Sequence, residues 1–266
     1  MDYTHGYSKR ESERLGDQAG TLSDLLHRDT VFPPGSLVLE GGCGVGSQTL
    51  IMAGNCPETR FVAVDISGPS VRKARDLAVA EGIGNARFQV QDINRLSFRD
   101  DSFDHVIICF VLEHMADPVA TLVELRRVLK KGGGLTAIEG DHGSTFFFPD
   151  SPAAHKAIQC QVRIQEMAGG NANIGRSLHP LFLRAGFADP TVSPRMVYVD
   201  DSRPDLVEGF TLRTFTAMVE GIRDRATRQG LITGEDFDRG IRDLRRTAEG
   251  GGTFCYTFFK GQAVKQ

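Results

Sequence analysis

No stretch of the 266 residues approaches 18 consecutive apolar side chains, so no membrane-spanning helix is expected. Met1 to Arg10 is polar and lacks the pattern of a secretory signal. Cysteine is sparse: the five residues at 43, 56, 109, 160 and 255 are odd in number and scattered. None stands in a Cys-x-x-Cys pair, so neither a zinc site nor a disulfide framework is indicated. Reduced thiols and a cytoplasmic setting are the expectation. There is no basic stripe and no aromatic ladder, and the net charge is only -3 with both signs interspersed. That pattern argues against a nucleic-acid partner. Internal repeats and low-complexity linkers are also absent. The length suits one α/β core with insertions, so residues 1–266 are read as a single domain.

What is present is concentrated between residues 37 and 65. An apolar run, Leu37 to Leu39, ends in Glu40, and glycines follow at 42, 44 and 46. Polar Ser47 and Gln48 then lead into Leu50, Ile51 and Met52. This is a strand, a glycine turn and the opening of a helix. A second strand, Phe61 to Val64, ends in Asp65. An acid at that place can accept two hydrogen bonds from a ribose diol. A dinucleotide fingerprint requires a third glycine where this chain has Ser47. Glu40, one turn before the glycines, would repel a pyrophosphate but suit an ammonium. S-adenosylmethionine carries an adenosine, an ammonium, a carboxylate and a sulfonium, and no phosphate.

Further strands are expected at Arg87–Val90, Asp104–Phe110 and Leu135–Ile138, with a helix from Pro118 closed by Lys130 and Lys131. Strands alternating with helices predict a parallel α/β sheet covered on both faces. On the glycine motif, Asp65, the Asp92-Ile93 pair and the Leu-Glu-His-x-x-Asp-Pro segment at 112–118, residues 36–141 resemble the class I methyltransferases. The small-molecule group that includes the ubiquinone and menaquinone C-methyltransferases is the nearest in pattern. The resemblance implies a Rossmann-like, mostly parallel seven-stranded sheet with an antiparallel last strand. It also implies S-adenosylmethionine as cofactor, held by Glu40, Gly42, Gly44, Gln48, Asp65, Ile66, Asp92, Ile93 and Phe110. Asp92 is expected at the adenine amino group, with Ile66 and Ile93 on the ring faces. Gly41 departs from the alanine common in that group, and its expected cost is flexibility.

Around this core, Leu15, Ala19, Leu22 and Leu25-Leu26 recur at helical spacing, so residues 9–27 read as an amphipathic helix. Residues 1–30, with Tyr7 just before that helix, are expected to close over the cofactor. Residues 142–180 and 200–250 read as substrate covers, the second carrying amphipathic helices at about 204–229 and 235–248. The run Glu139 to Pro149 places Asp141, His142 and Phe146 to Phe148 near a strand end, where open α/β sheets bind ligands. Phe146, Phe147 and Arg176 are the substrate-binding candidates. Thr253–Gly261 has a strong β pattern and can pair with Val192–Val199 at the sheet edge.

The expected reaction is methyl transfer to a small, partly apolar or aromatic metabolite. Where the acceptor must lose a proton, His142 is the first candidate base, oriented by Asp141, with His114 behind it. No metal is expected, and a homodimer is possible. A nicotinamide-dependent oxidoreductase and a non-catalytic S-adenosylmethionine-binding relative are the alternatives.

Overall fold

Leu37–Gly41 forms the first strand, β1, and burial on both faces explains its unbroken apolar run. In the computed structural model residues 20–266 are described. The expected lid segment therefore falls largely outside the described residues, and Tyr7 with it. Helix α1 (20–27) precedes β1. The core continues through α2 (Ser47–Asn55), β2 (Arg60–Asp65), α3 (Gly68–Ala80), β3 (Ala86–Val90), β4 (Phe103–Cys109) and α4 (Pro118–Val128). Then come β5 (Leu129–Phe148), α5 (Pro152–Met167), α6 (Leu178–Arg184) and β6 (Ala188–Val199). The chain closes with α7 (Pro204–Leu206), a π-helical segment Val207–Thr216, α8 (Ala217–Gly221), α9 (Arg223–Arg228), α10 (Gly234–Arg246) and β7 (Thr253–Val264).

The strands form one sheet in the order β3-β2-β1-β4-β5-β7-β6. β1 to β5 are parallel, and β7 runs antiparallel between β5 and β6. The order reverses between β1 and β4, which opens a crevice beyond their carboxyl ends. Side chains alternate across the sheet. Val38, Ile107 and Ile138 pack on one face with Leu26 of α1, Ile158 of α5 and Phe237 of α10. Leu39, Ile108 and Ala137 pack on the other with Leu122, Leu125 and Phe182. Proline and a polar cap start several helices. Asp117 accepts the Ala120 N–H at 3.0 Å before Pro118, and Ser151 accepts the Ala154 N–H at 3.2 Å before Pro152.

Three expected boundaries need correction. The helix from Pro118 ends at Val128, not at the lysines, because Leu129 pairs with Phe103 in the sheet. Lys130 instead bridges to Asp104 at 2.7 Å. β5 is also far longer than Leu135–Ile138, because β7 pairs with it as far as Phe148↔Thr253. Phe146 to Phe148 therefore lie in a strand and alternate. Phe147 is buried against His155 and Phe254, while Phe146 and Phe148 are 57% and 62% exposed on the other side. They are not a wall of three rings, and Phe147 belongs to the core.

The third correction is the expected helix over 204–229, which is broken by the π-helical segment. There the Thr214 hydroxyl donates to the Gly209 carbonyl five residues back at 2.7 Å. Phe210 and Phe215 would lie about 140° apart on an α-helix. The wider π turn brings both onto Tyr256, at ring separations of 5.8 and 5.5 Å.

Candidate active site

The glycine turn joins β1 to α2 with Gly42, Gly44 and Gly46 all at positive φ, which side chains avoid. A Cβ on Gly42 would strike Val111, and one on Gly46 would crowd Ala74, but one on Gly44 would meet nothing within 4 Å. Gly44 thus borders open space where a ligand can approach the backbone. Asp65 stands opposite. Its Oδ2 accepts the Gly44 N–H and its Oδ1 accepts the Ser67 N–H, both at 2.8 Å. Each oxygen keeps a further lone pair for a hydroxyl. Burial raises the Asp65 pKa, although the two N–H groups pull the other way.

Glu40 is buried at the end of β1, 2% exposed, and accepts the Thr49 hydroxyl. Burial is the main cause raising its pKa to about 7, with the Asp65 charge adding to it. A buried carboxylate of this kind gains from a bound cation. The carboxylate acceptors at Asp65, the open side of Gly44 and this buried anion have the chemistry that S-adenosylmethionine requires.

The other expected cofactor residues divide. Gln48, in the first turn of α2, has its side-chain oxygen 2.6 Å from His27 Nε2. It braces α1, a use its spacing did not reveal. Ile66 is 62% exposed beside Asp65, whereas Ile93 is buried. A Cβ on Gly41 would come within 2.5 Å of Ile93 Cδ1. The glycine at this departure therefore makes room for Ile93, and the expected cost in flexibility is offset by packing. Asp92 is exposed, and its Oδ1 accepts the Asn94 N–H at 2.9 Å. Phe110 follows β4 directly with φ 59, a strained conformation of the kind that clusters at functional sites. Its ring lies 5.5 Å from that of Phe258 on β7.

Beyond Phe110 the interior turns polar. Glu139 is fully buried and accepts the N–H groups of Val111 (3.0 Å), Leu112 (2.8 Å) and Glu113 (3.4 Å). Burial and the neighbouring Glu113 push its pKa up. Gln165 on α5 donates to the Glu113 carboxylate at 3.2 Å. His114 follows in the same short 3-10 turn, with Nε2 3.5 Å from Glu113 Oε1.

The expected Asp141–His142 pairing is replaced by two others. Asp141 binds Arg176 through two hydrogen bonds of 2.6 Å each. This arrangement spends the Arg176 fork, the group expected to take a substrate carboxylate, on the protein itself. His142 is buried, and its Nδ1 lies 2.7 Å from the Tyr256 hydroxyl. Tyr256, Phe258 and Lys260 escaped the sequence reading because they lie over a hundred residues from His142, Phe110 and Leu26, the groups they meet. Only the β pattern of 253–261 hinted at them.

Residues 39–137 match the family model described as a methyltransferase domain. A Streptomyces fradiae protein, "Uncharacterized 37.1 kDa protein in transposon TN4556", is 35% identical over 192 residues, 71% of this chain and 54% of that protein. The ubiquinone/menaquinone biosynthesis C-methyltransferase UbiE of Hydrogenovibrio crunogenus is 37% identical over 108 residues, 40% of this chain and 42% of its own. The chain thus spans about half the length of the curated relatives it matches. The structure of YcgJ from Bacillus subtilis superposes with a TM-score of 0.58 at 17% identity, covering 96% of this chain and 99% of that one. The likeness in fold and the matched methyltransferase domain agree, and the nicotinamide alternative falls. Residues 39–137 thus form a methyltransferase domain, on a sheet with the Rossmann-like fold of the class I S-adenosylmethionine-dependent methyltransferases.

Proposed function

We propose that this protein transfers a methyl group from S-adenosylmethionine to a small, partly apolar or aromatic metabolite. The observation that carries the acceptor class is a chain of rings leading inward from the cofactor turn. Phe110 meets Phe258 at 5.5 Å, Phe258 meets Tyr256 at 4.7 Å, and Tyr256 meets Phe215 at 5.5 Å. Aromatic faces hold flat apolar groups and attract cations such as a sulfonium. The UbiE relative, named for ubiquinone and menaquinone biosynthesis, supports an acceptor of this character.

When bound, S-adenosylmethionine supplies an electrophilic methyl group. The residues of this chain hold and align the two partners. Asp65 takes the ribose diol, Glu40 the ammonium, Asp92 the adenine amino group, and Ile66 covers the base. Phe110 fixes the wall between cofactor and acceptor. Alignment of this kind supplies about 7–11 kcal/mol in favourable cases.

The test is a panel of small metabolites incubated with methyl-labelled S-adenosylmethionine. Label in an apolar or aromatic product is the expected result. Calorimetric binding of S-adenosylmethionine with no turnover on any acceptor would leave a binding protein in place of an enzyme.

A further inference from the structure

A one-way chain of hydrogen bonds runs from β7 to the helix that follows the glycine turn. Lys260 spends its ammonium protons on the Leu26 carbonyl (3.1 Å), Asp29 (2.7 Å) and the Thr30 hydroxyl (2.7 Å). An ammonium only donates, so the Thr30 oxygen accepts there and its own proton is left for another group. His27 Nδ1 lies 3.4 Å from that oxygen. On the other side of the ring, Nε2 lies 2.6 Å from Gln48 Oε1. An amide oxygen only accepts, so Nε2 carries the proton. His27 is buried, and burial is the main cause that lowers its pKa to about 4, so the ring is neutral at pH 7. A neutral ring protonated at Nε2 has a bare Nδ1, which takes the Thr30 proton. Both ends of the chain require the same tautomer.

That tautomer fixes Gln48. A carboxamide has an acceptor end and a donor end, and here the acceptor end is taken by His27. The NH2 has no partner among the described residues, and it is not sealed in the core, because Gln48 is only half-buried. Gln48 stands in the first turn of α2, four residues after Gly44, the position in the turn that borders open space. No side chain caps α2 and no acid stands in its first turn, so no carboxylate of the helix competes for this donor. On S-adenosylmethionine the ammonium and the sulfonium cannot accept a hydrogen bond. The ribose and the base are assigned above to Asp65 and Asp92. The carboxylate is the remaining acceptor, and its charge strengthens the bond.

We propose that His27 is a positioning residue for the cofactor: it holds the Gln48 carboxamide by its oxygen, and the Gln48 NH2 binds the carboxylate of S-adenosylmethionine. The proposal rests on the methyltransferase reading above and deepens it by one subsite. Gln48 then does two things with one group. Its oxygen fastens α1, and its nitrogen meets the cofactor. His27, Thr30 and Lys260 all lie outside residues 39–137, so the clasp on this donor comes from beyond the segment that matches the family model. A carboxamide already held in place loses less freedom on binding than a free one, which favours affinity.

The tautomer can be read without any ligand, from ¹⁵N NMR of histidine-labelled full-length protein at neutral pH, with His27→Gln identifying the signals. A protonated Nε2 and a bare Nδ1 are expected, and the reverse would overturn the chain. Calorimetry with S-adenosylmethionine and with its decarboxylated analogue, which keeps the ammonium, tests the subsite. Gln48→Glu keeps an acceptor for His27 and replaces the donor by an anion. It should unfold thermally as wild type does and bind the analogue equally well, but bind S-adenosylmethionine about 10- to 100-fold more weakly. His27→Ala should show the same ligand-dependent loss, about tenfold, and His27→Gln, which keeps a donor, should recover it. A Gln48→Glu protein with full affinity for S-adenosylmethionine, or with equal losses for both ligands, would leave Gln48 a brace for α1 and overturn the subsite. A His27→Gln protein no tighter than His27→Ala would overturn the positioning role. Wild-type protein that fails to bind S-adenosylmethionine would instead remove the methyltransferase reading, and this inference with it.

Discussion

Asp65 has two tasks that substitution can separate. Its oxygens order the turn through Gly44 and Ser67 and offer their remaining lone pairs outward. Asp65→Ala should weaken S-adenosylmethionine binding by about 1.5–3 kcal/mol, the range for hydrogen bonds to a charged group. Calorimetry checks this, and unchanged affinity would remove Asp65 from the site. Glu40 links the site to pH. Folding raises its pKa from 4.5 to about 7, so its stabilising share is full below 4.5 and is lost as pH rises through about 7. At 1.36 kcal/mol per pH unit that interval is worth about 3 kcal/mol. Buried His27, lowered to about 4, acts in the opposite sense: its share is full above 6.5 and is lost as pH falls toward 4. The comparison with Glu40→Gln isolates the acid. That variant should gain on wild type by up to about 3 kcal/mol between pH 5 and pH 8 in urea unfolding. Parallel curves would mean that Glu40 is ordinary. Gly140→Ala tests the packing beneath Tyr256. Overpacking there, where an added Cβ would run into the phenol hydroxyl, should cost about 1–3 kcal/mol of stability in urea unfolding and lower turnover. A fully active, equally stable Gly140→Ala protein would show that the phenol tolerates displacement.

The contribution of α1 comes from how its end is fastened. Lys260 on β7 is almost fully buried and donates to the Leu26 carbonyl (3.1 Å), Asp29 (2.7 Å) and Thr30 (2.7 Å). Arg195 of β6 pairs with the same Asp29. His27 reaches across to Gln48 on the helix that follows the glycine turn. Lys260→Met should leave the Leu26 carbonyl unpaired, cost about 1–3 kcal/mol and weaken cofactor binding through Gln48. Thermal unfolding and S-adenosylmethionine titration check the two effects, and a loss of stability with full affinity would reduce α1 to packing. Elements governed by local pattern were legible in the sequence: β1, β2 and β4 as apolar runs, the glycine turn, the place of Asp65 at the end of β2, and the helix start at Pro118. What long-range pairing decides was not. The length of β5 depends on β7, and the two faces of Phe146 and Phe147 follow from that length. The partners of His142 and Arg176 depend on strand register, and the π-helical turn on where Phe210 and Phe215 must land.

At the scale of the molecule, helical segments cover a sheet of common type. The family match ends at residue 137, and much of the ring chain and the His142–Tyr256 pair lies beyond it. Cofactor binding is therefore assigned to the matched segment, and on the proposed function acceptor choice rests on residues beyond it. Fold alone does not fix the reaction. Among the described residues no helix is long and apolar enough to cross a membrane. The central claim is that the site at Glu40, Gly44 and Asp65 feeds methyl groups to a small acceptor held against the aromatic interior. The most direct test is to follow label from methyl-labelled S-adenosylmethionine in a small-molecule extract treated with the purified protein. The account predicts label in a low-mass, solvent-extractable apolar or aromatic product, and no such product with Asp65→Ala at limiting cofactor. Label that stays on S-adenosylmethionine, or appears only in protein or nucleic acid, would contradict it.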